Sequence, residues 1–538
     1  MPKLHAATLA ITLTLSAGAL PGFAGARTPG GAKVDTSPVA EADPGSRLPD
    51  GWQHGAFMEV FVRAYQDSNG DGIGDLRGLT QRLDYLRDLG IKGLWLMPVT
   101  RSADHDHGYA VTDYRNIEPD YGTLADFDEL LRQAHARGIG VIVDYVLNHS
   151  AAEHPAFVSA ADSAASPFRD WYVWQDPPPT GWDIWGHNPW YAAPTGHYFA
   201  VFGAQAPDFN LRNPAVVRYH FDTLRFWLNR GVDGFRFDAV PHLIENSATD
   251  WNDQPESYAL MGDVHALLAH YANRFMVCEA TASPAEWAAP SVCGSAFAFG
   301  LERHVAPAAR GEPADIQAVA DWFKTAPPTM GTMASNHDIF AGQRLWDQVH
   351  GDVAQYKLAA ATYLLLPGTP FIFYGEEVGM GGATQLEGDA QLRIPMSWQA
   401  DARTGGFTRG AAPFRPISPN VLTNNAAAEL TDRHSLLAFY KAMLHLRNTL
   451  PSIAQGSYEQ PFVQGQVMSY QRRLGGEQAI VLINYGKQAT TVPLQALPAH
   501  TTFTAAYPAP RDALHTDAQG QTAVELPPRS VVVFVHRA

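Results

Sequence analysis

The chain has 538 residues, 46% of them hydrophobic, enough to bury a large core and more than one domain. A formal charge of −16 argues against nucleic acid or an anionic membrane as partner and suits a protein that acts on neutral substrates. The two cysteines, Cys278 and Cys293, cannot build a disulfide framework; they leave open one bridge in an oxidising compartment or two free thiols.

Residues 1–26 read as a secretory signal peptide: Lys3 is followed by an apolar run too short to span a bilayer and by the small residues Ala24-Gly25-Ala26. The mature protein is therefore expected outside the cytoplasm, in the periplasm or the medium. Residues 27–49 are rich in Pro, Gly, Ala and Ser and predict a flexible lead-in. A strand over 56–62 runs into Asp67-Ser68-Asn69-Gly70-Asp71-Gly72-Ile73-Gly74-Asp75. The side-chain oxygens of Asp67, Asn69, Asp71 and Asp75 recur at alternate positions, and Ile73 can add its backbone carbonyl. That donor set suits a hard cation such as calcium. The same Asp, Asn and Gly content also makes a plain polar turn.

An amphipathic helix follows over 76–88, then a strand over 93–97, a helix over 124–137 and an apolar strand ending at Asp144. Residues 149–210 show no clear periodicity and are rich in Trp, Pro and Gly, which predicts an inserted functional subdomain. Trp182, Trp185, Trp190, Tyr191 and Tyr198 are its candidate aromatic platforms for a ligand. A helix over 215–228 precedes the strand that carries Arg236 and Asp238. Later strands are expected at 275–278 and near 297, 332 and 371–374, with a closing helix over 434–449. Beyond residue 451 the short alternating runs 467–471, 479–484, 490–493 and 530–536 predict a small all-β domain. No later stretch is long and apolar enough to cross a membrane.

Polar groups collect at the ends of the apolar strands. Asp144 ends one, Asp238 follows Gly234-Phe235-Arg236-Phe237, Glu279 follows Phe275-Met276-Val277-Cys278, and Asn336-His337-Asp338 follows a fourth. Arg236 and Asp238 lie two apart, hence on one face, and a buried carboxylate there needs a partner or a use. Carboxylates at the C-terminal ends of parallel strands are the signature of a barrel active site.

These four segments resemble the characteristic sequence regions of the α-amylase superfamily, glycoside hydrolase family 13. Ala206-Pro207-Asp208-Phe209-Asn210 resembles that family's additional region near the end of its inserted domain. The resemblance implies an α/β fold: a (β/α)8 TIM barrel in 50–148 and 211–451, a subdomain at 149–210 inserted after the third strand, and a C-terminal antiparallel β-sandwich at 452–538. It implies Asp238 as nucleophile, kept charged by Arg236, Glu279 as general acid, and Asp338 on the hydroxyls of the reacting ring. Asp106, Tyr109, His149 and His337 would line the site of that ring, with Tyr109 stacked beneath it. His242 would act beyond the cleavage point, and Asp144 would orient Arg236. Many members carry calcium in a loop like 67–75. Asn148 resembles a ligand of a second calcium whose other ligands the sequence does not locate.

Arg393-Ile394-Pro395-Met396-Ser397-Trp398 is similar to a segment of oligo-1,6-glucosidases. Ala239, His242 and Glu387-Gly388-Asp389 point instead to the amylase branch. The expected protein is a retaining, endo-acting α-amylase that cleaves α-1,4 links of starch and maltooligosaccharides, works as a monomer and binds calcium. An α-glucosidase or glucanotransferase of the same family is the alternative, since water and sugar acceptors use the same three acids. A non-enzymatic carbohydrate-binding member would lack one or more of them.

Overall fold

Seven short parallel strands form the centre: β1 (Phe57–Val60), β2 (Gly93–Leu96), β3 (Gly140–Tyr145), β4 (Gly234–Phe237), β5 (Phe275–Cys278), β6 (Gly331–Thr332) and β7 (Thr369–Phe373). They belong to a computed structural model that describes residues 33–410 and 412–538; the signal peptide expected over 1–26 lies outside them. The strand order is β5-β4-β3-β2-β1-β7-β6. Parallel bridges from Cys278 to Ala296 and from Phe297 to Gly331 join the two ends, so segment 296–297 takes the eighth place and the ring closes. β1 to β4 and β7 are buried throughout, as their near-continuous apolar runs require of strands covered on both faces.

Side-chain alternation layers the barrel interior. Phe57, Trp95, Ile142, Val277, Phe297 and Phe371 share one buried cluster, the barrel floor. Two residues further along three of these strands come Glu59, Asp144 and Glu279. The polar layer of the site therefore rests directly on an apolar one.

Four sequence expectations change. Residues 33–49, expected to be a flexible lead-in, lie against the barrel. The Val39 N–H donates to Asp222 (3.0 Å), the Ala42 N–H to Asn229 (3.0 Å), and Arg115 donates to the Ser37 carbonyl (3.0 Å). Polar side chains of the barrel thus satisfy the segment's backbone, which composition alone does not reveal. The helix expected over 76–88 is two, Leu76–Gln81 and Leu83–Leu89, divided at Arg82. There the guanidinium leaves the helix direction to lie 3.9 Å from the Trp398 ring and to donate to Gln66.

The stretch 149–210, read as irregular, contains a helix (Pro155–Asp162) and a three-stranded sheet of Trp174–Gln175, Gly196–Phe199 and Trp190–Ala193. Its strands are too short to show a period. The C-terminal part has more strands than the four expected: a six-stranded and a two-stranded sheet, both contributing to one apolar cluster that includes Ile480, Val492, Val524 and Phe534. No helix among the described residues is long and apolar enough to cross a membrane.

Candidate active site

The polar layer converges on one side chain. Arg236 is fully buried. Its Nη1 donates to Asp144 Oδ1 at 2.9 Å and to Asp238 Oδ1 at 2.6 Å, while Nη2 pairs with Glu279 Oε2 at 2.6 Å. One planar fork, centred 5.2 Å from the Trp95 ring, thus holds three carboxylates from three neighbouring strands. Trp95 also donates its indole N–H to Asp144 (3.1 Å). The Tyr109 hydroxyl donates to the same Asp144 Oδ2 at 2.9 Å, so three side chains hold a carboxylate whose side chain is fully buried and offers no face to a substrate.

Asp338 closes the group. Arg393 Nη2 donates to Asp338 Oδ1 (2.6 Å) and its Nε to the His337 carbonyl (2.9 Å). His337 is buried between Glu59 (2.5 Å from Nδ1) and Tyr109 (2.7 Å from Nε2), with its Nε2 3.2 Å from Asp338. The Tyr109 ring stacks on His337 at 13°. Asp106 forms an ion pair with Arg415 at the rim. His149 is buried, with Nδ1 3.0 Å from Asn148 Oδ1. The His242 ring lies stacked on Trp251, 5.3 Å between centroids.

Burial sets the protonation states. It raises Asp238 to about 6 against the opposing pull of Arg236, and raises Glu279 to about 8 with help from Asp238 and Asp338, again against Arg236. The sequence reading credited the arginine with holding Asp238 down; desolvation outweighs it. At neutral pH the pair still divides, Asp238 ionised and Glu279 protonated. Burial likewise raises Asp144 to about 6, pushes Glu59 well above the ordinary carboxylate value, and lowers His149 and His242 to about 4. Burial and the cations of Arg393 and Arg236 drive His337 well below its ordinary value, so it stays neutral. An ionised and a protonated carboxyl group on adjacent strands are the two components that a retaining glycosidase needs.

Two sets of oxygen donors lie outside this centre. In the loop 67–75, Asp67 accepts the N–H groups of Asn69, Gly70 and Gly72, Asp71 accepts that of Ile73, and Asp75 caps the next helix through Gly78. The donors are all oxygen, as calcium prefers, but the loop's own amides occupy much of that capacity. Around Asn148 stand Asp208 (3.2 Å) and the His242 carbonyl. Burial and the charge of Glu245 raise Asp208 well above its ordinary value, and burial raises Glu245 to about 7. Among the described residues, His105, Glu118 and Asp120 also converge as a possible ligand group, but Arg63 already pairs with Asp120 at 2.5 Å.

The sequence reading brought together Asp238, Glu279, Asp338, Arg236, His337, Tyr109 and Asp144. It missed Glu59, Arg393 as the partner of Asp338, and Asp208 with Glu245. Glu59 carried a signal: a lone carboxylate that interrupts an apolar strand. Of the five candidate platforms, Trp190 and Tyr198 are buried, Trp182 and Tyr191 half-buried, and Trp185 exposed. Cys278 and Cys293 form a disulfide with a Cα–Cα distance of 6.2 Å, which resolves the open pairing.

The family model described as alpha amylase, catalytic domain, matches residues 59–456. The chain is 34% identical over 454 residues to "Alpha-amylase 3" of Dictyoglomus thermophilum, covering 82% of this chain and 86% of that one. It is 30% identical over 532 residues to an oligo-1,6-glucosidase of Parageobacillus thermoglucosidasius, covering 84% and 93%. The crystal structure of an α-amylase from H. orenii superposes with a TM-score of 0.78 at 29% identity, covering 90% of this chain and all of that one.

Proposed function

The chain belongs to the α-amylase family of glycoside hydrolases, and from that premise we propose that it cleaves α-1,4-glucosidic bonds of starch and maltooligosaccharides with retention of configuration. The observation that carries this reading is the fork of Arg236 across Asp238 and Glu279, whose pKa values fall on either side of neutrality. In the first half-reaction Glu279 gives its proton to the glycosidic oxygen while the Asp238 carboxylate attacks C1. The C1–O bond to the leaving sugar breaks and an ester to Asp238 forms. In the second half, the Glu279 carboxylate takes a proton from water, whose oxygen displaces the ester. Asp338, held by Arg393, hydrogen-bonds the ring hydroxyls and favours the oxocarbenium-like transition state. His337, His149 and Tyr109 fix the same ring. Arg236, Asp144 and Glu59 position these groups from below.

Ala239, His242 and the segment Glu387-Gly388-Asp389 support endo action. A second reading, an exo-acting α-glucosidase, is favoured by the Asp106–Arg415 pair. It ties the loop after β2 to the loop after β7, across the barrel from β5 and Glu279, and a bridge there would narrow the path of the chain that an endo enzyme must pass. Products from soluble starch separate the two: mixed maltooligosaccharides early in the reaction mark endo cleavage, and glucose alone marks exo.

Calcium belongs to the same reading, held by Asp67, Asn69, Asp71, the Ile73 carbonyl and Asp75. That loop receives the Phe414 N–H at the Gly72 carbonyl (3.0 Å), so an ion there would brace the segment that presents Arg415. Export fits the Cys278–Cys293 bridge, which needs an oxidising compartment.

A further inference from the structure

The hydrogen-bonding groups around His337 constrain where its protons sit. The ring is held in place: it stacks on Tyr109 and meets Trp95 edge-on, 5.5 Å between centroids. Its Nε2 faces two oxygens, the Tyr109 hydroxyl at 2.7 Å and Asp338 Oδ2 at 3.2 Å. The hydroxyl gives its one hydrogen to Asp144 Oδ2, 2.9 Å away. Asp144 also receives N–H groups from Arg236 and Trp95, so it stays an acceptor. Both oxygens in front of Nε2 therefore accept, and Nε2 carries a hydrogen.

Nδ1 faces Glu59 Oε1 at 2.5 Å. Two charge states fit that contact: an imidazolium beside a carboxylate, or a neutral ring whose Nδ1 accepts from a carboxylic acid. His337 is 0% and Glu59 1% exposed, so the first would place two charges where water cannot reach them. The nearby cations do not favour it. Arg393 donates to the His337 carbonyl (2.9 Å), which makes an imidazolium more costly, and Arg236 is engaged with Asp144, Asp238 and Glu279. Among the described residues Glu59 forms no ion pair other than the one with His337. Burial, with the charge of Asp338, pushes the Glu59 carboxyl well above its ordinary value, against the pull of Arg236. Burial and the two arginines push His337 well below its own. The proton between them belongs to Glu59.

We propose that Glu59 is a positioning residue that works as a neutral acid: its O–H donates to His337 Nδ1 and so keeps the imidazole hydrogen on Nε2, facing Asp338 and the reacting sugar. The consequence for catalysis rests on the retaining-glycosidase reading of Asp238 and Glu279; the place of the protons does not. Without the acid the ring is free to take the other tautomer. A lone pair on Nε2 would then meet the Asp338 carboxylate, a repulsive contact at the group that steadies the oxocarbenium-like transition state. An ionised Glu59 would instead add a negative charge to the layer that already holds Asp144, Asp238 and Asp338.

Neutron diffraction from wild-type crystals exchanged into D2O reads the protons directly. The expected density is deuterium bonded to Glu59 Oε1 and to His337 Nε2, with Nδ1 bare; deuterium bonded to Nδ1 would overturn the proposal. Activity on α-glucosyl fluoride is the second test. Glu59→Gln keeps a donor, its amide N–H, and cannot ionise; Glu59→Leu has no donor. kcat/KM of Glu59→Leu should fall about 10- to 100-fold, mostly through kcat, while Glu59→Gln stays within about threefold of wild type. A loss in Glu59→Gln as large as that expected for leucine would overturn the proposal, because an ion pair needs the charge that glutamine lacks. So would wild-type activity in Glu59→Leu. A wild-type enzyme inactive on α-glucosyl fluoride would overturn the retaining-glycosidase reading instead, and the neutron density would decide the protons of Glu59 and His337 by itself.

Discussion

Replacing Arg236 tests how the buried charge is balanced. The guanidinium is the cation shared by Asp144, Asp238 and Glu279, at 2.9, 2.6 and 2.6 Å. In Arg236→Met those carboxylates remain in a buried layer without it. Breaking a buried charge pair from one side costs about 3–5 kcal/mol. The cost depends on pH, because a carboxyl that takes up a proton no longer needs the cation. Asp144 and Asp238 are already raised to about 6 with Arg236 present. Both bind protons more tightly folded than unfolded, so each costs stability as pH rises from its unfolded value through its folded one. Without Arg236 both move higher and the window widens. Urea unfolding of wild type and Arg236→Met at pH 5 and pH 8 reads this directly. The expected loss is near the full value at pH 8 and clearly smaller at pH 5. Arg236→Lys should lie between, since one ammonium keeps the charge but cannot fork to three acids. Equal losses at the two pH values, or a loss below about 1 kcal/mol at pH 8, would refute the account of this layer.

The remaining predictions concern activity and bracing. kcat/KM should be bell-shaped in pH, rising through about 6 as Asp238 ionises and falling through about 8 as Glu279 loses its proton. Glu279→Gln should lower it by about 10²- to 10⁴-fold and abolish the alkaline limb; full activity on starch would show that Glu279 is not the acid. Chelation should lower the Tm of the wild type, and Asp67→Ala should lower it to about the same value and remove the response to added calcium; a Tm indifferent to chelator would argue for a plain polar turn. The Cys278–Cys293 bridge spans 15 residues, so the double serine variant should lose about 3 kcal/mol. Its kcat should also fall, because Glu279 directly follows Cys278; an unchanged urea midpoint would refute the bracing role.

The strand ends were readable because a barrel buries apolar runs and leaves polar groups only at their tips. Asp144, Asp238 and Glu279 break runs of Val, Ile, Phe and Met, and that contrast survives in the bare sequence. Glu59 breaks its strand in the same way and was readable by the same rule. Other features were hidden because they depend on contacts between distant segments. Arg393 meets Asp338 across 55 residues, and the carboxylate of Asp106 finds Arg415 across 309. Residues 33–49 read as loose because their anchors, Asp222, Asn229 and Arg115, lie far along the chain. Which tryptophans of the insertion face solvent was equally hidden. Trp190 packs against Phe199 and Trp182 and becomes a core residue, whereas Trp185, five positions earlier, stays exposed.

The central claim is that Asp238 attacks the sugar while Glu279 supplies the proton, and covalent trapping tests it most directly. Incubation with 5-fluoro-α-glucosyl fluoride, followed by peptide mass spectrometry, should find the fluoroglucosyl ester on Asp238 in wild type and none in Asp238→Asn. A label on Glu279 or Asp338 instead, or an ester that still forms in Asp238→Asn, would contradict it.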